Sequence, residues 1–130
     1  MSIHPAIAPG NVAVITGGAN GIGLAAARRF AGMGLKVAVA DRDRDQLALA
    51  RQALGEGLPG RNCYFTVLPS VAALAAEVAV LGPVSVLMNN AGVGRGGDVL
   101  APRAAWDRVL GVNLLGVLNG VQQFVPAMVE

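Results

Sequence analysis

A short apolar run near the start of the chain ends at two glycines and is followed at once by a helical pattern. The run Asn11–Thr16 is apolar and β-branched without alternation, which is typical of a strand covered on both faces of a parallel sheet. After Gly17 and Gly18, a helical stripe leads to Gly34, where a helix would end. The stripe consists of Ile22, Ala25, Ala26, Phe30 and Met33. Strand, glycine turn and helix in this order predict the opening of a βαβ unit.

The same alternation recurs along the rest of the chain. Further strands are predicted at Lys36–Asp41, Cys63–Leu68 and Val84–Met88, and helices at Gln46–Leu54, Val71–Leu81 and Ala104–Gly120, the last running on towards Met128. This pattern predicts an α/β fold, a Rossmann-like doubly wound parallel sheet with strand order 3-2-1-4. The length of residues 1–130 suits one domain, since domains typically have ~100–150 residues.

Composition excludes several classes of function. The 10 basic residues are scattered, so we expect no nucleic-acid partner. One cysteine, Cys63, and one histidine, His4, form neither a disulfide framework nor a metal-ligand set, so we expect a cytoplasmic protein without metal. The uncharged run Val109–Val129 is long enough to cross a bilayer, but its Asn, Gln and Pro residues favour burial in protein, and no membrane partner is expected.

Three glycines shape the turn after the first predicted strand. Gly17 permits a tight exit from the strand, Gly21 lets the backbone approach a pyrophosphate, and Gly23 lets the helix pack closely on the sheet. The free N–H groups and the dipole at the helix start offer an anion site. A plain glycine-rich turn is the alternative interpretation.

An acidic residue ends the second predicted strand. Asp41 can accept hydrogen bonds from both adenosine-ribose hydroxyls of NAD and repel a 2′-phosphate. Alternatively, Asp41 caps the next helix, a role equally open to Asp43 or Asp45. Together the turn and the acid predict dinucleotide binding, which identifies a cofactor but not a reaction.

Three motifs, in order, resemble the short-chain dehydrogenase/reductase family. They are Thr16-Gly17-x-x-x-Gly21-x-Gly23, Asn89-Asn90-Ala91-Gly92 after the fourth strand, and Val112-Asn113-Leu114-Leu115-Gly116 on the last helix. The resemblance spans residues 11 to about 128. It implies an NAD(P)-dependent oxidoreductase that transfers hydride between nicotinamide and a small alcohol or carbonyl substrate. It also implies a homo-oligomer, a dimer or tetramer, paired through the helix Trp106–Met128.

The resemblance assigns roles to individual residues. Together with the turn and the acid, it gives the cofactor-binding set Gly17, Ala19, Asn20, Gly21, Ile22, Gly23, Asp41, Arg42, Asn90, Ala91 and Gly92. Asn113 matches the helix asparagine that holds a water in the family's proton relay, and is the catalytic residue implied here. As alternatives, Asn89 and Asn90 cap a strand end, and Asn113 is a buried asparagine bonded to neighbouring backbone.

NAD is expected in preference to NADP. Relatives that prefer NADP often have Lys or Arg before the second motif glycine, where this chain has Asn20, and Asp41 opposes a 2′-phosphate. Arg42 keeps NADP open, because its guanidinium pairs with that phosphate if Asp41 turns away. Relatives usually carry Asp-Val after the third strand, against the adenine, whereas this chain reads Val67-Leu68-Pro69-Ser70, which leaves Ser70 as a weak substitute. Arg95 hints at an anionic substrate, although a solvated loop arginine is the simpler interpretation.

The family's catalytic serine and Tyr-x-x-x-Lys pair have no match in this sequence. Its one tyrosine is Tyr64, its one lysine is Lys36, and Leu68 stands four residues after the tyrosine. By the resemblance the catalytic residues lie beyond Glu130, so we expect an apparently truncated, cofactor-binding half that is inactive alone. The alternative is a non-catalytic nucleotide-binding or dimerisation module, a pseudo-enzyme fragment. The substrate and the direction of reaction lie outside what these residues predict.

Overall fold

Four parallel strands form the centre of the molecule. The computed structural model describes residues 2–55, 63–67, 70–94 and 97–130, so Leu68, Pro69 and Arg95 lie outside the described residues. The elements are β1 (Val12–Thr16), α1 (Gly21–Gly32), β2 (Lys36–Asp41), α2 (Arg44–Gly55), β3 (Cys63–Val67), α3 (Val71–Ala79), β4 (Val84–Met88), α4 (Arg103–Leu110) and α5 (Gly116–Met128), with a 3-10 turn at Pro5–Ile7. The sheet order is β3-β2-β1-β4, all pairs parallel, which confirms the predicted α/β fold and strand order.

The two inner strands are buried on both faces. Alternate residues of β1 and β2 point to opposite sides of the sheet, as the two-residue period of a strand requires. On one side Ile15 and Val39 pack beneath α1 and α2, and on the other Val14 and Ala38 pack beneath α3 and α5. Continuous apolar runs are therefore required, as the sequence pattern indicated.

Helix α1 faces the sheet with a different stripe from the predicted one. Gly23 and Ala27 are its buried residues, whereas Ile22 is 76% exposed and Ala25 is also exposed. The predicted stripe was wrong for Ile22 and Ala25, while Phe30 does pack against the core. Small residues let the helix approach the sheet closely, and apolar spacing does not reveal which small residues face inward.

The last helix is longer than α4 alone and contains an irregular turn. Its helical path runs from Arg103 to Met128, with a π-helical turn at Gly111–Leu115 between α4 and α5. Phe124 is buried against the sheet. By length and composition this is the one helix, among the described residues, that could cross a membrane, yet its contact through Phe124 makes it a covering layer of the sheet.

Candidate cofactor site

A cleft of about 870 Å³ opens at the carboxyl edge of the sheet. Helix α1, which follows β1, covers one face of the sheet, and α5, which follows β4, covers the other. The connections therefore leave these two neighbouring strands towards opposite faces, and a crevice lies between them. The lining residues are Thr16, Gly17, Asn20, Ile22, Asp41, Arg42, Asp43, Ser70, Val71, Asn89, Asn90, Ala91, Gly92, Val93, Arg108, Gly111, Val112, Gly116, Val117 and Asn119. Of the predicted cofactor residues, Ala19, Gly21 and Gly23 are not in this lining; Asn113 is not either.

The glycines of the first turn are required by close backbone packing. Gly17 has φ +64°, and a Cβ there would lie 2.8 Å from the Cα of Ala91. A Cβ at Gly23 would lie 2.6 Å from both the Gly17 carbonyl oxygen and Asn90 Nδ2. Gly21 differs, because its φ is +53° but no atom lies within 4 Å of the position of a Cβ. The turn is therefore packed against β4 at its two ends and open at Gly21.

The start of α1 supplies unpaired backbone donors. Asn20 is the N-cap, and its side chain makes no capping hydrogen bond. The Leu24 N–H donates to the Asn20 carbonyl at 3.1 Å. The N–H groups of the helix residues that precede Leu24 have no intrahelical acceptor. Because the helix dipole adds positive potential there, this end of the cleft suits an anionic group.

Asp41 is held in place by two backbone donors. Its Oδ2 accepts from the Ala19 N–H at 3.2 Å and its Oδ1 accepts from the Asp43 N–H at 3.1 Å. The cap of α2 is Asp43, whose Oδ1 accepts from Asp45 N and Gln46 N, both at 3.0 Å. Asp41 therefore does not cap α2, and its carboxylate is fixed beside the glycine turn on the cleft wall.

A buried hydroxyl ties β1 to the loop after β4. Thr16 Oγ1 accepts from the N–H groups of Asn90 at 3.1 Å and Ala91 at 3.2 Å. Asn90 Nδ2 donates to the Gly17 carbonyl at 3.0 Å, so this side chain bridges two strand ends rather than capping its own strand. Thr16 opens the glycine motif but was assigned no role from the sequence; the available signal was a hydroxyl at the end of an otherwise apolar strand.

Asn113 lies in the π-helical turn and uses its side chain on the same loop. Its Oδ1 accepts from the Val93 N–H and its Nδ2 donates to the Val93 carbonyl, each at 2.8 Å. The side chain is exposed, so the alternative of a buried asparagine was wrong about burial, although the bonds to backbone are present. This reciprocal pair fixes the helix to the loop after β4.

Three other polar residues that the sequence singled out do not act as cleft donors: Ser70 and Lys36 have structural partners, and Tyr64 lies on an outer strand. The Ser70 hydroxyl caps α3 by accepting from the Ala73 N–H at 3.1 Å. Lys36 Nζ donates to the Leu81 carbonyl at 2.9 Å, at the amino end of β2, and Tyr64 lies on β3 with 42% of its surface exposed. Neither Lys36 nor Tyr64 lines the cleft. Arg108, which does, was not predicted.

Comparison with known proteins gives consistent matches. A family model described as short chain dehydrogenase matches residues 11–130. Galactitol 2-dehydrogenase (L-tagatose-forming) from Cereibacter sphaeroides is 37% identical, over 92% of this chain and 48% of its own. The 3-oxoacyl-(acyl-carrier-protein) reductase of Thermotoga maritima is 38% identical, over 93% and 51% respectively.

Two solved structures extend the match to three dimensions. A short chain dehydrogenase/reductase from Burkholderia phymatum, in complex with NAD, has a TM-score of 0.84 and 38% identity, covering 92% of this chain and 44% of that one. A metagenomic short-chain oxidoreductase, in complex with NADP, has a TM-score of 0.83 and 32% identity, covering 95% and 58%. The chain thus spans about half the length of the relatives it matches.

Proposed function

The chain belongs to the short-chain dehydrogenase family, and on that premise we propose that residues 1–130 are the N-terminal portion of one NAD(P)-binding domain and bind NAD in preference to NADP. The carboxyl-edge cleft is the proposed site. The observation that carries the proposal is the Asp41 carboxylate, fixed beside the glycine turn by the Ala19 N–H at 3.2 Å. When bound, the nicotinamide supplies the hydride acceptor or donor for an alcohol or carbonyl substrate.

Each wall of the cleft takes one part of the cofactor. The backbone of Asn20, Gly21 and Ile22 at the start of α1 binds the pyrophosphate, because Asn20 leaves the helix terminus uncapped by its side chain and helix N-termini attract phosphate. Next to this turn, in the loop after β4, Asn90, Ala91 and Gly92 border the nicotinamide ribose. Gly17 and Gly23 act indirectly, by allowing the turn and the β4 loop to approach each other.

Asp41 selects the adenosine ribose. The carboxylate oxygens each keep a lone pair after accepting the two backbone N–H bonds, and ribose hydroxyls donate to these. A 2′-phosphate at the same place meets a like charge, which disfavours NADP. Arg42 lies on the same wall and supplies the counter-charge that lets some NADP bind.

Titration calorimetry with NAD and NADP tests this assignment. Asp41→Asn removes the charge but keeps one acceptor oxygen. We expect NAD affinity to fall about ten- to a hundredfold, since hydrogen bonds to charged groups contribute ~1.5–3 kcal/mol. We also expect NADP affinity to rise relative to NAD affinity. Asp45→Asn removes an equal charge from the exposed start of α2 and serves as the matched control. Unchanged NAD binding by Asp41→Asn would show that the carboxylate does not select the cofactor.

Residues 1–130 alone are proposed to be inactive. Tyr64 and Lys36 lie outside the cleft, so they provide no tyrosine and lysine to move a proton at a substrate oxygen. Asn113 contributes by holding Val93 and the β4 loop, and its Oδ1 retains a lone pair to which a water can donate. Absorbance at 340 nm with NAD and a panel of alcohols tests the proposal, and steady NADH formation by the purified chain would refute it.

The helix Trp106–Met128 supports the proposal of a homo-oligomer and keeps a second function open. Its outer face exposes Trp106, Leu110, Leu114, Leu118 and Val121, each with more than 40% of its surface accessible. Exposed apolar patches of this kind mark interaction sites. A pairing module without catalysis fits that face as well. Sedimentation of the wild type and of Leu114→Glu measures pairing through this face, and the NAD titration measures cofactor binding. Pairing by a chain that binds no NAD would favour the module without catalysis. We place the chain in the cytoplasm in either case.

A further inference from the structure

The helix wall of the cleft carries one charged side chain. Arg108, Val112, Gly116 and Asn119 all line the cleft, and their spacing of four, four and three residues puts them on one face of the helix. Arg108 is exposed. The nearby Asp107 carboxylate accepts from Arg103 Nε at 2.9 Å, so that acid is already paired with another arginine.

The wall opposite Asp41 has few other polar groups for a flat ligand. The connection after β3 reads Val67-Leu68-Pro69-Ser70, without a charged or amide side chain. The Ser70 hydroxyl already accepts the Ala73 N–H at 3.1 Å. Ser70 and Val71 share the cleft lining with Val112 on the helix, so this region has apolar surface against which a flat ring can pack.

A bound dinucleotide has its base beyond Asp41. If the pyrophosphate lies at the start of α1 and the adenosine ribose at Asp41, the base extends across the cleft from the β2 end. Strand β3 pairs with β2 on that side of the sheet, so Ser70 and Val71, just before and at the start of α3, line the cleft beyond Asp41. Val112 and Arg108 line the same cleft, and they lie on one face of the helix, about one turn apart.

We propose that Arg108 is a specificity residue for the cofactor's base, its guanidinium lying parallel to the adenine ring over one face of it. The inference rests on the proposed function. Guanidinium groups are planar and stack on planar rings, whereas a lysine ammonium is a compact charge without that plane.

Calorimetric titration of the full chain with NAD tests the proposal. Arg108→Ala is expected to weaken NAD binding about tenfold, and Arg108→Lys, which keeps the charge, is expected to remain several-fold weaker than wild type. Arg28→Ala is the matched control, an exposed arginine of α1 outside the cleft lining, and should bind as wild type. Far-UV circular dichroism checks that each variant folds.

Each other outcome overturns a defined part of this scheme. Wild-type affinity in Arg108→Ala would refute the role of Arg108 and leave the proposed function standing. Full recovery in Arg108→Lys would mean that the side chain acts through its charge on the phosphates, so the contact with the base would be wrong. No NAD binding by the wild-type chain would overturn the proposed function and this inference together.

Discussion

The two walls of the cleft are built in different ways. The turn wall, Thr16–Ile22 with Asp41–Asp43, is held by backbone packing and by part-buried hydrogen bonds. In these bonds the side chains of Thr16 and Asp41 accept from backbone N–H groups. The helix wall, Arg108–Asn119, belongs to a segment in which α4 and the π-helical turn contain no buried residue. It is attached through the Asn113 pair with Val93 and, further along, through Phe124.

This difference predicts that the turn wall is more rigid than the helix wall. Many small contacts of the turn wall fix its donors and carboxylate before a ligand arrives, which is the arrangement that precise recognition requires. The helix wall has few buried contacts, and segments of that kind open at low free-energy cost. We therefore expect changes in the turn wall to act on both folding and cofactor binding, and changes in the helix wall to act mainly through its two attachments.

The largest expected effect is the loss of the helix attachment in the core. Phe124→Ala removes a ring that is 4% exposed, and we expect it to lower the free energy of unfolding by about 3–5 kcal/mol. Leu49→Ala on α2, at a position 58% exposed, is the control and should change it little. Urea denaturation followed by circular dichroism measures both; equal effects would contradict the attachment through Phe124.

The turn wall is tested by two alanines with similar backbone angles. Gly17→Ala combines a left-handed φ of +64° with a 2.8 Å approach to the Ala91 Cα, and should cost about 2–4 kcal/mol of stability. Gly21→Ala, at φ +53° in open space, bears only the conformational cost of about 1–2 kcal/mol. Thermal and urea unfolding distinguish them, and a Gly21→Ala loss as large as that of Gly17→Ala would argue against close packing on β4.

The second attachment of the helix, the Asn113 pair with Val93, is expected to contribute less to the free energy of unfolding. Asn113→Ala removes both 2.8 Å bonds to Val93, and since its side chain is exposed we expect a loss of about 1 kcal/mol. Hydrogen exchange at the Val93 amide should accelerate at the same time. Asn119→Ala, which removes an exposed amide from the same wall, should leave Val93 unchanged; if it accelerates Val93 equally, the pair is not the attachment.

The smallest expected effect concerns the reactivity of the Cys63 thiol. Burial raises the pKa of the Cys63 thiol above its usual range, so at a given alkaline pH it has less thiolate than a free cysteine and should react more slowly with iodoacetamide. The same raised pKa means that its small contribution to stability is present below the ordinary thiol pKa and is lost as the pH rises through the folded value. Leu49→Cys, at a position 58% exposed on α2, should react several-fold faster. Equal rates at the two sites would contradict the difference in burial.

The turn wall is also the part that the sequence predicts best. Apolar runs ending in glycine or aspartate identify β1 and β2, because strands covered on both faces tolerate only apolar residues. Asp41 was located by its position at a strand end. What could not be read was its hydrogen bond from Ala19, because the close approach of two turns depends on how β1 and β2 pair.

The helix wall was less predictable for a physical reason. Residues 104–120 carry a helical pattern, but that pattern does not reveal the π-helical turn at Gly111–Leu115. Arg108 resembles any solvated arginine in a sequence, and only the path of the helix along the cleft brings it to the wall. The inner face of α1 was misjudged at Ala25 because alanine suits either side of a helix, and at Ile22 because apolar spacing does not show that this side chain lies on the cleft wall.

Hydrogen exchange of the whole chain with and without saturating NAD tests the central claim, that the cleft at the carboxyl edge is the cofactor site. NAD should slow exchange at the amides of Asn20–Ile22 and Asp43 and in the loop Asn90–Val93. It should leave the amino edge around Lys36 and Leu81 unchanged. Saturation without protection of the Asn20–Ile22 amides, or protection confined to the amino edge, would contradict the account.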